Sequence, residues 1–131
     1  MPEMEDKELR QMIADHMENG FLENIIDMFR HDSSLYRFVG ELIKDERIRV
    51  RIGTTALMEE LKGLDPENIA LAKENLILLL DDREPTVRGD AANLLGMIGG
   101  RDLVPCLTGL LSDEDGNVRL IAKEALSEIG H

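Results

Sequence analysis

The chain repeats itself, and that limits what it can fold into. Residues 79–99, LLDDREPTVRGDAANLLGMIG, align without a gap on residues 110–130, LLSDEDGNVRLIAKEALSEIG, at an offset of 31. Leu79 and Leu80 match Leu110 and Leu111, Asp82 matches Asp113, and Val87-Arg88 matches Val118-Arg119. Ala91, Leu95, Ile98 and Gly99 match Ala122, Leu126, Ile129 and Gly130. A third copy, residues 42–62, carries Leu42, Asp45, Val50-Arg51, Leu57 and Leu61 at an offset of 37. Here Arg47 stands where the others have Glu84 and Asp115, and Lys62 replaces the closing glycine. A unit of this length is one supersecondary motif that cannot bury its apolar face alone, so neighbouring copies must stack.

Each copy reads as a pair of helices. In the middle copy Glu84 is the expected N-cap and Pro85 the first helical residue, a place where the missing N–H has no helical partner in any case. Asp115 is the expected cap of the last copy. Behind these caps, Val87, Ala91, Leu94, Leu95 and Ile98, and likewise Val118, Ala122, Ala125, Leu126 and Ile129, recur at helical spacing. Gly99 and Gly130 follow, where a left-handed closing residue is wanted. For the first helices, Asp65-Pro66 predicts cap and first residue of a helix through Leu80, and Asp102 opens a shorter one through Leu111. Upstream, Leu9, Met12, Ile13 and Met17 form one apolar stripe, closed by Asn19-Gly20. Phe21, Leu22, Ile25, Ile26 and Phe29 form another, and Ser33 or Ser34 is the expected cap of a helix containing Leu35, Phe38, Val39 and Leu42. The expected division of a single domain is 1–34 capping helices, 35–63 repeat 1, 64–100 repeat 2 and 101–131 repeat 3.

These residues resemble the HEAT-like repeat family, in the short form also found in phycobilisome lyases. The pattern of a Leu-Leu pair, an Asp, a cap, often a Pro, then Val-Arg, an Ala-rich turn, a Leu and a closing Gly is met over residues 76–131, less fully over 35–63 and poorly before that. The resemblance implies an all-α fold, a right-handed α-solenoid of about three helix pairs with extra N-terminal helices. It also implies protein recognition on a curved surface. Two alternatives come with it: an accessory or lyase-like subunit acting on a cofactor-bearing protein, and nucleic-acid binding of the kind some HEAT-like glycosylases show. Iron-binding HEAT enzymes share the scaffold but carry repeated His-Glu pairs, which this sequence lacks.

Charge narrows the partner. Twenty-seven acids against fifteen bases leave a formal charge of −12, and residues 1–34 hold nine of the acids and three of the bases. Such a surface repels phosphate backbones and anionic lipids. With no Trp and 3% aromatics, stacking on bases is also poorly served. Nucleic acid and membrane are therefore disfavoured, and a basic or amphipathic segment of another protein is the expected ligand. A single cysteine, Cys106, precludes an internal disulfide and fits a reducing, cytoplasmic setting. The N-terminal stretch MPEMEDKELR has no basic run followed by an apolar one, so no secretory signal is expected, and LILLL at 76–80 is too short to span a bilayer.

The sequence offers no catalytic or metal-binding constellation, and neither a cofactor nor an enzymatic activity is expected. His16, His31 and His131 are far apart. Ser112-Asp113-Glu114-Asp115-Gly116-Asn117 lacks the ligand alternation and the twelfth-position Glu of a calcium loop. Gly96, Gly99 and Gly100 follow no strand and precede no Lys-Ser/Thr, so they are not a phosphate loop. Cys106 reads as a packed thiol. The run Arg47-Ile48-Arg49-Val50-Arg51 is the one basic spot, read as a solvated face plus one motif arginine rather than an anion site.

Two groups of residues remain. Asp45, Asp82 and Asp113 each precede Arg51, Arg88 and Arg119 by six residues, and the expectation is that each Asp accepts from that guanidinium and from open backbone N–H groups, building a structural seam. On the second helices, positions between the apolar stripes align as four rungs. These are Ile52, Gly89 and Leu120; Gly53, Asp90 and Ile121; Ala56, Asn93 and Glu124; and Glu60, Met97 and Glu128. Within them Ile52, Asp90, Asn93, Met97, Leu120, Ile121, Glu124 and Glu128 are the candidate partner-binding residues. Leu120 and Ile121 stand where the middle copy has Gly89 and Asp90, which points to exposed apolar surface and to self-association or docking through the last repeat. Phe21, Phe29, Tyr36, Phe38 and the N-terminal methionines serve either an end cap or an adaptable groove, and the cap is the expected role.

Overall fold

A computed structural model describes residues 4–130, and every regular element among them is helical. The first two helices are α1 (Asp6–Glu18) and α2 (Leu22–His31). Three helix pairs follow: α3 (Val39–Ile43) with α4 (Ile48–Leu64), α5 (Lys73–Leu78) with α6 (Pro85–Ile98), and α7 (Val104–Gly109) with α8 (Gly116–Ile129). The first helix of each pair is short and continues into 3-10 turns: Ser33–Phe38 before α3, Ile69–Ala72 and Leu79–Asp81 around α5, Arg101–Leu103 and Leu110–Ser112 around α7. The long helices α4, α6 and α8 stand side by side, α6 and α8 most intimately, and the short helices form a second row behind them. The arrangement is an α-solenoid.

Local chemistry explains most boundaries. The Asp115 carboxylate accepts from the N–H groups of Asn117 (2.9 Å) and Val118 (3.0 Å) at the start of α8, a cap worth about 1 kcal/mol. Pro85 is the first residue of α6 behind Glu84, which makes no side-chain cap; the Glu84 N–H instead donates to Asp82 at 3.0 Å. Gly130 closes α8 in the left-handed region (φ 88°, ψ 25°), whereas Gly99 leaves α6 at φ 81° but ψ 177°, an extended exit rather than the expected left-handed turn.

Two start signals act differently from expectation. Neither Ser33 nor Ser34 caps the helix after α2; Asp32 does, accepting from the Ser34 N–H at 3.0 Å and its hydroxyl at 2.6 Å. A carboxylate is the stronger acceptor and the serines supply the donors. Asp65-Pro66 does not open a helix through Leu80. Proline disfavours α geometry in the residue before it, so Asp65 leaves α4 at φ −142°. Residues 66–68 form a turn, and regular structure resumes only at Ile69. The Asp65 carboxylate accepts from Asn68 Nδ2 (2.9 Å) and from the buried Tyr36 hydroxyl (2.8 Å). It thereby ties the turn after α4 to the Ser33–Phe38 turn in the row of short helices, and burial and this bond both raise the phenol's pKa.

One core runs the length of the stack. Ile13, Ile25, Phe29, Val50, Leu57, Leu76, Leu95, Leu107 and Ala122 are all fully buried in it. At its N-terminal end Phe29 meets Tyr36 edge-on, ring centroids 5.2 Å apart, so these aromatics fill the core. α1 is fastened by ion pairs to the first pair: Arg37–Asp6 (2.9 Å), Arg10–Glu41 (2.9 Å) and Arg47–Asp15 (2.8 Å). Met17 fills the space beside Gly53, where an added Cβ would lie 2.4 Å from the Met17 side chain. α6 and α8 approach still more closely. A Cβ on Gly96 would stand 2.8 Å from the Ala125 Cα, and one on Gly89 would stand 3.0 Å from the Ile121 Cδ1. Glycine in the helix middle, costly by propensity, permits this contact.

Candidate functional site

The arginine–aspartate seam crosses from one helix pair to the next. Arg88 forks onto Asp113, Nε to Oδ2 and Nη2 to Oδ1, both at 2.9 Å, with each side chain only 9% exposed. Its Nη1 donates backward to the carbonyls of Asp82 (2.8 Å) and Arg83 (3.1 Å). The expected pairing within a repeat, Arg88 with the Asp82 carboxylate, is therefore replaced by a clamp between repeats. Arg51 reaches Asp90 at 3.0 Å rather than Asp45. Asp45 is taken by Arg47 (3.0 Å), two residues on, and Asp82 by Lys44 (3.2 Å), which follows α3 in the preceding helix pair. Arg119 donates to the Asp113 carbonyl, not to its carboxylate. The feature all three copies share is the capping turn: Asp45, Asp82 and Asp113 accept from the N–H two residues on, at 2.9, 3.0 and 2.9 Å. The basic run resolves accordingly. Arg47 and Arg51 are consumed in ion pairs and Arg49 is exposed.

These contacts set an acid limit on the fold. Arg88 beside Asp113, Arg47 beside Asp45, and the Glu84 N–H on Asp82 hold those carboxyls below the usual aspartate value of 3.8. A depressed folded-state pKa gives stability that is complete above the unfolded value and lost as pH falls through the folded one. The chemical-denaturation midpoint should therefore drop steeply below about pH 4, and less steeply in Asp113→Asn. A wild-type midpoint unchanged between about pH 4 and 2 would contradict this.

The second face to consider is the outer side of α4, α6 and α8. Three adjoining depressions run along it. Ile48, Arg51, Ile52, Thr55 and Asp90 line the first, between α4 and α6. Gly89, Asp90, Leu120 and Ile121 line the second, between the starts of α6 and α8. Glu59, Asn93, Met97, Glu124 and Glu128 line the third, toward the C-terminal ends of the helices. All eight candidate residues thus border one surface. Ile48 and Ile52 are each 65% exposed and Leu120 54%. Ile121 is different: its tip packs over Gly89, so it belongs partly to the α6–α8 joint. Glu59, Glu124 and Glu128 are exposed and enter no ion pair among the described residues.

Sequence alignment missed Ile48, Thr55 and Glu59 as lining residues. It paired Glu60 with Met97, which places Glu59 opposite the buried Gly96. α4 and α6 are less closely packed than α6 and α8, so an alignment by rungs does not carry the side-chain direction across to α4.

Other candidates are used structurally. Asp113 and Asp115 are occupied by Arg88 and by backbone N–H groups, as above, which accounts for the calcium-like loop. His16 and His31 bond backbone carbonyls one turn back, at 2.9 and 2.7 Å, and His131 lies outside the described residues. Cys106 donates to the Leu103 carbonyl (3.1 Å), and burial raises its thiol pKa. Among the described residues no three His, Cys, Asp or Glu side chains converge as metal ligands, and no helix is long and apolar enough to cross a membrane.

The family model for HEAT repeats matches residues 72–131, from the start of α5 through α8, and so includes the Arg88–Asp113 clamp. This supports a HEAT-like repeat family; repeat 1 and the N-terminal helices lie outside the match. A comparison with curated proteins finds no match.

Proposed function

We propose that the chain is a non-catalytic protein-interaction scaffold, working in the cytosol, whose docking face is the exterior of α4, α6 and α8. HEAT repeats commonly act as such scaffolds. The observation that carries this reading is the pairing of exposed apolar side chains at one end of the face, Ile48 and Ile52, with three carboxylates around Met97 at the other, Glu59, Glu124 and Glu128. Those carboxylates have no intramolecular cation among the described residues, so a partner's lysine or arginine is the natural counter-ion. The chemistry suits an amphipathic helix whose apolar residues sit on the isoleucines and whose basic end lies in the acidic depression. Methionine at the centre adapts to varied side chains.

The test is affinity capture from the source cells with the wild type and with Glu59→Lys plus Glu124→Lys, followed by identification of bound proteins and titration of the recovered partner. Both positions are exposed, so the melting temperature should stay within a few degrees. The partner's affinity should fall roughly tenfold or more, with added salt weakening the wild-type complex. A partner that binds the double variant as tightly as the wild type would refute this docking face.

A further inference from the structure

The row of short helices carries apolar side chains that the core does not use. Leu78 is 73% exposed, the most of any large apolar side chain among the described residues, and Leu71, just before α5, is 55% exposed. The aligned positions hold Ser34 and Glu41 in the first copy and Asp102 and Gly109 in the last. The two leucines belong to the middle helix pair, with a pair on either side.

A groove runs beside Leu78, between α3 and α5. Arg37, Glu41 and Lys44 line one wall, and Leu78 and Leu79 the other. The two walls meet at Gly40 and Asn75: Asn75 Nδ2 donates to the Arg37 carbonyl at 3.0 Å, and a Cβ on Gly40 would lie 3.4 Å from the Leu79 Cδ1. Together with Lys44 on Asp82 at 3.2 Å, these contacts set Arg37 level with Glu74 and Lys44 level with Asp81. The outer edges of the walls differ in charge. The α3 edge carries Arg37 and Lys44, with Glu41 between them held by Arg10. Arg37 pairs with Asp6 and Lys44 with Asp82, yet 38% and 50% of their side chains stay exposed. Arg37 Nη2 uses one of its two N–H groups on Asp6. The α5 edge carries Glu74 and Asp81, both exposed and in no ion pair among the described residues.

We propose that this groove is covered by the same groove of a second copy, in a dimer whose two-fold axis runs along it. α5 of each copy then lies over α3 of the other. Arg37 meets Glu74 and Lys44 meets Asp81, each pair formed twice, and each Leu78 reaches into the other copy's groove beside Glu41. The charge pattern selects this axis, because like charges set face to face are costly. An axis along α5 would place Glu74 on Glu74 and Asp81 on Asp81. An axis across the helices at Leu78 would place Glu74 on Asp81, and one along α3 would place cation on cation. The contact is isologous and closes at two copies. It rests on one short ridge, which places the association in the weak class. The −12 charges of the two copies repel, but that repulsion is screened within about 8 Å at about 0.15 M salt. The exterior of α4, α6 and α8 stays open on both copies, so the dimer does not depend on what that face binds.

Sedimentation velocity tests this up to about 1 mM protein in about 0.15 M salt. The wild-type mean mass should rise with concentration to that of a dimer and stop there. Leu78→Glu, at an exposed position, should fold normally and weaken association at least about tenfold. Lys44→Glu and Asp81→Lys should each do the same alone. An equimolar mixture of those two should regain the dimer, because each supplies the charge the other lacks. Thermal melts confirm folding; if Lys44→Glu unfolds through loss of its Asp82 contact, Leu78→Glu and Asp81→Lys decide the matter. A wild type monomeric throughout, a mass that grows past the dimer, or a dimer indifferent to Leu78→Glu would overturn the proposal. So would two folded charge variants that fail to rescue each other. A dimer strengthened by Asp81→Lys would mean that the copies meet α5 on α5, and would overturn it too.

Discussion

Gly96→Leu should destabilise the fold by about 3 kcal/mol or more, the largest effect expected of any single substitution of a glycine in this chain. Even a Cβ at this position would lie 2.7 Å from the Ala125 Cβ and 2.8 Å from its Cα. The obstacle is backbone, so a rotamer change cannot relieve it; α6 and α8 must separate, and the buried joint around Ala92, Ala122 and Ala125 opens with them. Gly63→Ala is the matched control. It is also in a long helix, α4, but nothing lies within 4 Å of its added Cβ, so the helix-propensity gain of up to about 1 kcal/mol is unopposed. Opposite signs in urea denaturation are the expected outcome. A Gly96→Leu protein as stable as the wild type would mean that the two helices are not in backbone contact.

Arg88→Ala should lower the melting temperature by about 10 °C. The substitution leaves the Asp113 carboxylate, 9% exposed, with only the Asp115 N–H and removes donors from two carbonyls. Arg119→Ala, at the aligned position, should shift it by no more than about 3 °C, because Arg119 is exposed and donates to a single carbonyl. Equal shifts in calorimetry would show that the clamp between repeats contributes nothing special. Neither substitution touches the acidic depression, so binding there should persist where the protein is folded.

The contrast between these arginines shows what a sequence of this kind discloses. Asp115, Pro85 and Gly130 act on atoms a few residues away, so their capping roles are readable from local order alone. The seam was readable as a list of residues but not as a set of pairs. Arg88 and Asp113 are 25 residues apart, and whether an arginine turns back to its own aspartate or forward to the next depends on how far the helix pairs are offset in the stack. That offset is fixed by Gly89 and Gly96, whose aligned partners in the last copy are Leu120 and Ser127. A helix with glycines on one face against Ile121 and Ala125 of its neighbour signals close approach, and this signal was present in the alignment. Asp65-Pro66 carries two competing local signals, cap and helix breaker; the pull of Tyr36 and Asn68 on the carboxylate decides for a turn.

The candidate face was legible for the same reason the fold was. Residues between the apolar stripes of three aligned helices must share a side of the stack, and the eight positions chosen on that ground border one surface. What the alignment could not supply was rotation about each helix axis. α4 has Gly53 against Met17 of α1, a contact with no equivalent in the other copies, and it presents Glu59 where Glu60 was expected. Residues that pack against a neighbouring repeat, such as Ile121, look identical in sequence to residues exposed on the candidate face.

Side-by-side stacking of α1, α4, α6 and α8 is the premise of the proposed docking face, and nuclear Overhauser contacts test it most directly. The Ile121 δ1 methyl should show a strong cross-peak to the Gly89 α-protons, and the Met17 methylene protons to those of Gly53, since each side chain occupies the space beside its glycine. Absence of both cross-peaks in a folded, assigned sample, or Gly89 contacting residues of α2 instead, would contradict the stack.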